Sequence, residues 1–167
     1  MKIGIGLPAY NEEKNIAGII SRLENRSYQI LVCNDGSSDN TGIIAEKMGA
    51  TVINHDRNRG YGSGIRSLFE KAKSEDLDIL VTFDADGQHR ISDIEKVLEP
   101  IIQGKSDIVI GSRFSGEEKT KIPKYRKIGI KVITNLVNSE TGSNITDSQS
   151  GFRAYSKKVI NSIYPSD

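Results

Sequence analysis

The sequence predicts an α/β fold, a largely parallel central sheet with helices on both faces. Two observations carry that expectation. Short apolar and β-branched runs recur along the chain, each bounded by Gly, Pro, Asn or Asp. Between them lie stretches whose apolar residues repeat at helical spacing, so strands and helices alternate. A third observation sets the scale: 167 residues suffice for one ordinary domain and fall short of two. No internal repeat or linker divides them, so residues 1–167 are expected to form a single domain.

Residues 3–7 read as the first strand and 12–24 as the first helix, with Ile16, Ile19, Ile20 and Leu23 on one side. Residues 29–34 give the second strand, and 39–48 a helix with Asp39 as N-cap and Gly49 as its stop. A third strand spans 51–54, and the glycine-rich stretch 58–64 opens the helix after it. Residues 79–83 form the fourth strand, 92–103 a helix begun by a Ser92–Glu95 capping box, and 108–111 a fifth strand. Pro123 opens a last helix over 124–138. Its Ile128, Val132, Ile133 and Leu136 share one side, Lys124, Lys127 and Lys131 another, and Arg126 projects apart from both.

Composition narrows the function. Hydrophobic residues at 36%, charged residues at 27% and only 4 Pro argue against a low-complexity chain. A single cysteine, Cys33, excludes an internal disulfide and a cysteine-based zinc site, and fits a reduced, cytoplasmic setting. No apolar run approaches the ~20 residues a spanning helix needs, and the apolar start of the chain is too short for a secretory signal. A soluble or peripheral protein is expected. The net charge of +1 hides a polarity: residues 1–118 hold 14 basic and 19 acidic side chains, residues 119–167 hold 9 and 3. Lys119, Lys121, Lys124, Arg126, Lys127 and Lys131 fall in an acid-free segment, 119–131. This suits either an anionic partner or a solvated helix face.

In open sheets of this type, ligands bind beyond the carboxyl ends of the strands. Nearly every predicted strand here is followed by acids, amides, hydroxyls or an Arg. Asp84-Ala85-Asp86 stands out. Residues i and i+2 at a strand end project to the same side, and two carboxylates aimed at one point call for a hard divalent cation between them. Gln88 could add a neutral oxygen; the plainer alternative is an acidic loop. Asp35, ending the second strand, could accept hydrogen bonds from a nucleobase edge or simply shape a turn. The stretch 58–64 suits a phosphate or sugar held near the backbone, or is a surface loop. Gly4-Ile5-Gly6-Leu7-Pro8-Ala9 matches a dinucleotide fingerprint in form only, because its glycines fall within the strand rather than after it.

Taken in order, six segments resemble the family 2 glycosyltransferases of the dolichyl- or polyprenyl-phosphate mannose or glucose synthase type. They are Pro8-Ala9-Tyr10-Asn11-Glu12, Asn34-Asp35-Gly36-Ser37-Ser38-Asp39, Asn58-Arg59-Gly60, Asp84-Ala85-Asp86-Gly87-Gln88-His89, Gly111-Ser112-Arg113-Phe114 and Asp147-Ser148-Gln149-Ser150-Gly151-Phe152-Arg153. The resemblance implies the nucleotide-sugar fold called GT-A, with Mg²⁺ or Mn²⁺ under the donor diphosphate. It implies that Pro8, Tyr10 and Glu12 contact base and ribose, and that Asp35 reads the base. Asp84, Asp86 and Gln88 would hold the metal, Ala85 would line the donor site between them, and Arg113 would sit by a donor or acceptor phosphate. Arg126 looks like an acceptor-phosphate arginine. Asp147 would be the base if the acceptor were a hydroxyl.

The expected reaction is inverting transfer of a hexose from a GDP- or UDP-sugar to a lipid phosphate, with the segment 119–131 as a peripheral contact on the cytoplasmic face of a membrane and no nucleic-acid partner. Transfer to a polysaccharide or protein hydroxyl, or nucleotide-sugar binding without turnover, are the alternatives. Family members run on past the motif at Asp147, so the chain is expected to be a fragment or a minimal form.

Overall fold

A computed structural model describes residues 1–24, 27–84, 91–112, 124–142 and 145–163. Its strands are β1 (Ile3–Ala9), β2 (Gln29–Asn34), β3 (Thr51–Asn54), β4 (Ile79–Thr82), β5 (Ile108–Ile110) and β6 (Arg153–Ser156). Its helices are α1 (Ile16–Glu24), α2 (Thr41–Lys47), α3 (Tyr61–Ser74), α4 (Ile94–Ile102), α5 (Lys124–Thr141) and α6 (Lys157–Ile163). The strands make one sheet in the order β3-β2-β1-β4-β6-β5. Pairing is parallel from β3 through β4, and β6 runs antiparallel to both β4 and β5. Chain order therefore switches at β1, which has β2 on one side and β4 on the other. That is where open sheets of this kind leave a crevice.

The period-two alternation of strand side chains sorts the core into two layers. Ile5, Leu7 and Ala9 of β1, Ile30 and Val32 of β2, and Ile79 and Val81 of β4 join α1, α2 and α4 in one buried cluster. Leu31, Cys33, Leu80 and Tyr155 point the other way, onto Leu68, Phe69 and Ala72 of α3 and Val159 and Ile160 of α6. Helices thus cover both faces, as the alternating pattern predicts. On the side of β1 that faces α3, Gly4 and Gly6 precede Pro8. A Cβ on Gly4 would collide with Leu77, and one on Gly6 would lie 3.2 Å from Leu68 Cδ1 and 3.3 Å from Leu80 Cδ1. Their spacing is a packing device that admits three leucines, and a large-to-small change such as Leu68→Ala there costs about 2–5 kcal/mol.

Several boundaries differ from expectation for local reasons. β1 continues to Ala9 through Pro8. Its pairing with β4 ends at Gly6, so the missing N–H of Pro8 falls where no ladder bond is due. The first helix begins at Ile16 because the Glu12 carbonyl accepts from both Asn15 and Ile16 N–H, forming a turn ahead of it. Asn40, not Asp39, occupies the N-cap of α2, although Asp39 Oδ1 accepts the Thr41 N–H at 3.0 Å. Gly49, at φ +80°, ends that helix as expected. The Ser92–Glu95 capping box does not form: Ile91–Asp93 is a 3₁₀ turn, and α4 starts at Ile94 with no side-chain cap bond from Asp93.

Among the described side chains of α5, Ile130 and Thr134 are buried, whereas Val132 and Ile133 are 63% and 42% exposed. Two of the four residues of the expected apolar stripe therefore face outward, and the side chains of Ile128 and Leu136 lie outside the described residues. Polar docking sets the rotation of the helix. Thr134 Oγ1 accepts the Ser148 N–H at 3.1 Å, and the Asn138 amide bonds both backbone groups of Ile145 at 2.8 and 2.9 Å. β6 and α6 were not anticipated.

Candidate functional site

At the carboxyl end of the sheet, the loops after β1 and β2 are knitted together. Asn11, at φ +55°, donates its N–H to Ser37 Oγ at 3.0 Å, and its Oδ1 accepts the Ser38 N–H at 2.9 Å. Glu12 N–H donates to Thr41 Oγ1 at 2.8 Å, and Glu13 Oε2 accepts the Asn40 N–H at 3.1 Å. The loop after β3 locks onto the same frame. Gly36, at φ +68°, lets backbone meet backbone, since a Cβ there would collide with Arg57.

Asp35 is the hub of this frame. It is 6% exposed, and its Oδ1 accepts from His55 Nδ1 at 2.6 Å and from the Arg59 N–H at 2.9 Å. Its Oδ2 accepts the Gly60 N–H at 2.8 Å. The His55 side chain is only 5% exposed, with Ser67 Oγ 2.8 Å and Cys33 Sγ 3.6 Å from its Nε2. Burial pushes the Asp35 carboxyl up, but the Arg59, His55 and Gly60 bonds outweigh it and hold the group below its ordinary range. Burial, with Asp35 beside it, pushes the Cys33 thiol up to about 11, against a smaller opposing effect of Arg59. Cys33 is therefore a neutral packing residue rather than a nucleophile.

At the end of β4, Asp84 Oδ1 accepts from the Tyr61 hydroxyl at 3.2 Å. Burial and the Asp84 charge push the Tyr61 phenol far up, which keeps it a donor. Opposite Asp84 stands Gly151, whose missing Cβ would lie 2.5 Å from each carboxylate oxygen and from the Tyr61 hydroxyl. Buried Thr82 fixes that approach by donating to the Gly151 carbonyl at 2.7 Å. Arg153 clamps the preceding turn, with Nε to the Ser150 carbonyl at 2.8 Å and Nη2 to the Ser148 carbonyl at 2.7 Å. Asp147, in that turn, is 0% exposed and accepts the Gln149 N–H at 3.3 Å, as an Asx turn does.

Consecutive residues join the two halves: Gly60 bonds Asp35 and Tyr61 bonds Asp84. Of the residues singled out in the sequence, Pro8, Tyr10, Glu12, Asp35 and Asp84 stand at strand ends on this side of the sheet, with Tyr10 exposed and Asp35 buried. Glu12 Oε2 accepts from the Asn15 amide at 2.7 Å. Ala85, Asp86, Gln88 and Arg113 lie outside the described residues. Arg126 belongs to the first turns of α5, and its side chain is likewise outside them. Of the basic segment 119–131, residues 119–123 fall outside as well, and Lys131 is exposed.

Among the described residues, no group of three His, Cys, Asp or Glu could hold a metal. Asp84 does fit a metal ligand: it offers hard carboxylate oxygens at a place where Gly151 leaves room for them. Sequence reasoning passed over His55 and Thr82, and took Tyr61 and Gly151 only as members of the stretches 58–64 and 147–153, without a role of their own. His55 directly follows a strand end, a position that could have drawn attention to it. The other three act through contacts far apart in the chain.

Comparison with known proteins agrees with this fold. The sequence model of Glycosyl transferase family 2 matches residues 5–164. A UDP-N-acetylglucosamine–dolichyl-phosphate N-acetylglucosaminyltransferase of Methanococcus voltae is 38% identical over 176 residues, covering 92% of this chain and 69% of its own length. A dolichol-phosphate mannosyltransferase of Pyrococcus furiosus is 33% identical over 174 residues, covering 98% and 48%. Among solved structures, glucosyl-3-phosphoglycerate synthase of Mycobacterium tuberculosis, in complex with Mn²⁺, UDP and glucosyl-3-phosphoglycerate, superposes with a TM-score of 0.71. It is 22% identical, and the match covers 95% of this chain and 57% of that one, which is a likeness of fold.

Proposed function

The chain belongs to glycosyl transferase family 2, and from that premise we propose that it transfers a hexosyl unit from a nucleoside-diphosphate sugar to a polyprenyl or dolichyl phosphate, inverting the anomeric centre. What carries this reading is the carboxylate of Asp84 at the end of β4, set against Gly151 and joined through Tyr61 and Gly60 to the buried carboxylate of Asp35. Asp35 would bind the base, with Pro8, Tyr10 and Glu12 beside the nucleoside. Asp84, Asp86 and Gln88 would hold Mg²⁺ or Mn²⁺, with Ala85 lining the donor site. When bound, the cation neutralises charge developing on the leaving diphosphate. Arg113 would face the same phosphates, and Arg126 the phosphate of the acceptor.

A phosphate acceptor is supported by the state of Asp147. A hydroxyl acceptor needs a base within reach of its proton. Asp147 is fully buried and engaged in its own turn. A phosphate monoester is already an anionic nucleophile and needs no such base. The names of the two relatives given above also specify dolichyl or dolichol phosphate. We place peripheral membrane contact on the basic start of α5, which would present the lipid phosphate without a spanning segment. Among the described residues, no helix is long and apolar enough to cross a membrane.

The test is a transfer assay with labelled nucleotide sugars, offering a short polyprenyl phosphate and an oligosaccharide hydroxyl in parallel. Transfer to the phosphate is expected in Mn²⁺ and should be lost in EDTA and in Asp86→Ala. Transfer to the hydroxyl alone would overturn the acceptor assignment, and donor affinity unchanged in EDTA would overturn the metal.

A further inference from the structure

We infer that the Asp35 site is built for a uracil nucleotide and that His55 is the positioning residue that sets this preference, an inference that rests on the donor-site reading above. An ionised carboxylate offers about four acceptor positions, two on each oxygen. On Asp35, Oδ1 has both filled, by His55 Nδ1 at 2.6 Å and the Arg59 N–H at 2.9 Å. Oδ2 has one filled, by the Gly60 N–H at 2.8 Å. Among the described residues nothing else bonds it, so a single acceptor position, on Oδ2, is left for a base.

The proton between His55 and Asp35 has only one place to be. An ionised carboxylate cannot donate, so Nδ1 carries the hydrogen, and Nε2 faces the Ser67 hydroxyl at 2.8 Å. The imidazole is thereby fixed from both ends and cannot swing off Oδ1. The two backbone donors are fixed as well, because Gly36 packs directly on the backbone of Arg57 and Asn58, just ahead of them.

Guanine presents N1–H and N2–H side by side, and a carboxylate pairs with both only when each oxygen has an open position. Oδ1 has none. Uracil presents one N–H, at N3, between two carbonyls, and this fits the single position on Oδ2. With Asp35 only 6% exposed, a second N–H brought there would be left without a partner, and a buried unpaired donor is disfavoured.

Titration calorimetry on the whole chain in Mn²⁺, with UDP and GDP as probes, tests this. UDP should bind about tenfold or more tighter than GDP, the scale of one unpaired buried group. The diphosphate of 3-methyluridine, which lacks the N3–H, should lose a similar factor, and this measurement needs no variant. His55→Phe should narrow the ratio of UDP to GDP affinity by opening a position on Oδ1, and His55→Asn, which restores an N–H donor, should recover it. GDP binding as tightly as UDP, or 3-methyluridine diphosphate binding as well as UDP, overturns the inference while the donor site stands. An unchanged ratio in folded His55→Phe overturns the role of His55. Binding of neither nucleotide overturns the donor-site reading, and this inference with it.

Discussion

A Cβ on Gly151 would lie 2.5 Å from both carboxylate oxygens of Asp84. The loop before β6 therefore makes a backbone wall against which this carboxylate rests, and Thr82 holds the wall in place through its bond to the Gly151 carbonyl. Tyr61 closes the other side. An acid that ends one strand is thus oriented by residues close to 70 positions further along the chain and by the first residue of α3.

Gly151→Ala should displace Asp84 without unfolding the protein, because a carboxylate and a phenol can rotate away where backbone could not. Donor affinity in Mn²⁺ should fall about 10–100-fold, the usual effect of disturbing a group that orients a metal ligand. Gly18→Ala is the control: its Cβ would meet nothing within 4 Å, and inside α1 it should add about 0.5–1 kcal/mol of stability. Calorimetry with UDP and thermal melting read both variants. Full affinity in Gly151→Ala would show that the wall does not orient Asp84.

Thr82→Val keeps shape and removes the hydroxyl, leaving the Gly151 carbonyl without its 2.7 Å donor. Loss of that bond beside a residue only 1% exposed should cost about 1–3 kcal/mol in urea unfolding. Donor affinity should drop as well, since the wall loosens. Stability equal to the parent would mean that water or another donor replaces the hydroxyl.

Acid should weaken the base site only once pH falls below the ordinary carboxylate range. The folded-state pKa of Asp35 is depressed, so its contribution is fully present above the unfolded value of ~3.9 and is lost as pH falls through the lower folded value. Asp39, Asp78 and Asp107 shift in the same direction, so the parent should lose stability steadily below about pH 4. Asp35→Asn should be about 1–3 kcal/mol less stable at pH 7 and show a shallower decline on acidification. Denaturant midpoints from pH 7 to pH 3 check the slope, and parallel curves for the two proteins would contradict the assignment.

The parallel half of the sheet was legible because its strands are apolar, bounded by turn formers and separated by amphipathic helices. β6 was not. Arg-Ala-Tyr-Ser carries only two apolar residues, and Ala154 and Tyr155 are buried at 0% and 7% because β6 is inserted between β4 and β5. That placement depends on pairing, not on the segment's own composition. Asp35 and Asp84 were legible as acids at strand ends. What binds them was not, because His55, Gly60, Tyr61 and Gly151 reach them across 20 or more positions. Val132 and Ile133 of the expected stripe on α5 misled for a related reason: they have helical spacing, but Thr134 and Asn138 anchor the helix by hydrogen bonds that hydropathy does not register.

That rotation of α5 bears on the membrane. Val132 and Ile133 stay exposed next to exposed Lys131, so apolar and basic side chains share the outer surface of the helix. Such a surface suits an anionic bilayer, where each near-surface Lys or Arg contributes ~1 kcal/mol. Liposome co-sedimentation should then require anionic lipid and weaken as salt rises. Reversing Lys124, Lys127 and Lys131 to Glu should abolish it with the circular dichroism spectrum unchanged. Val132→Ser with Ile133→Ser should weaken it while leaving its salt dependence intact, since only the apolar share is removed. Arg126→Ala should spare both liposome binding and donor affinity yet cut transfer to polyprenyl phosphate. Binding indifferent to salt and to the triple reversal would remove the membrane role, and full transfer by Arg126→Ala would remove the acceptor role of that residue.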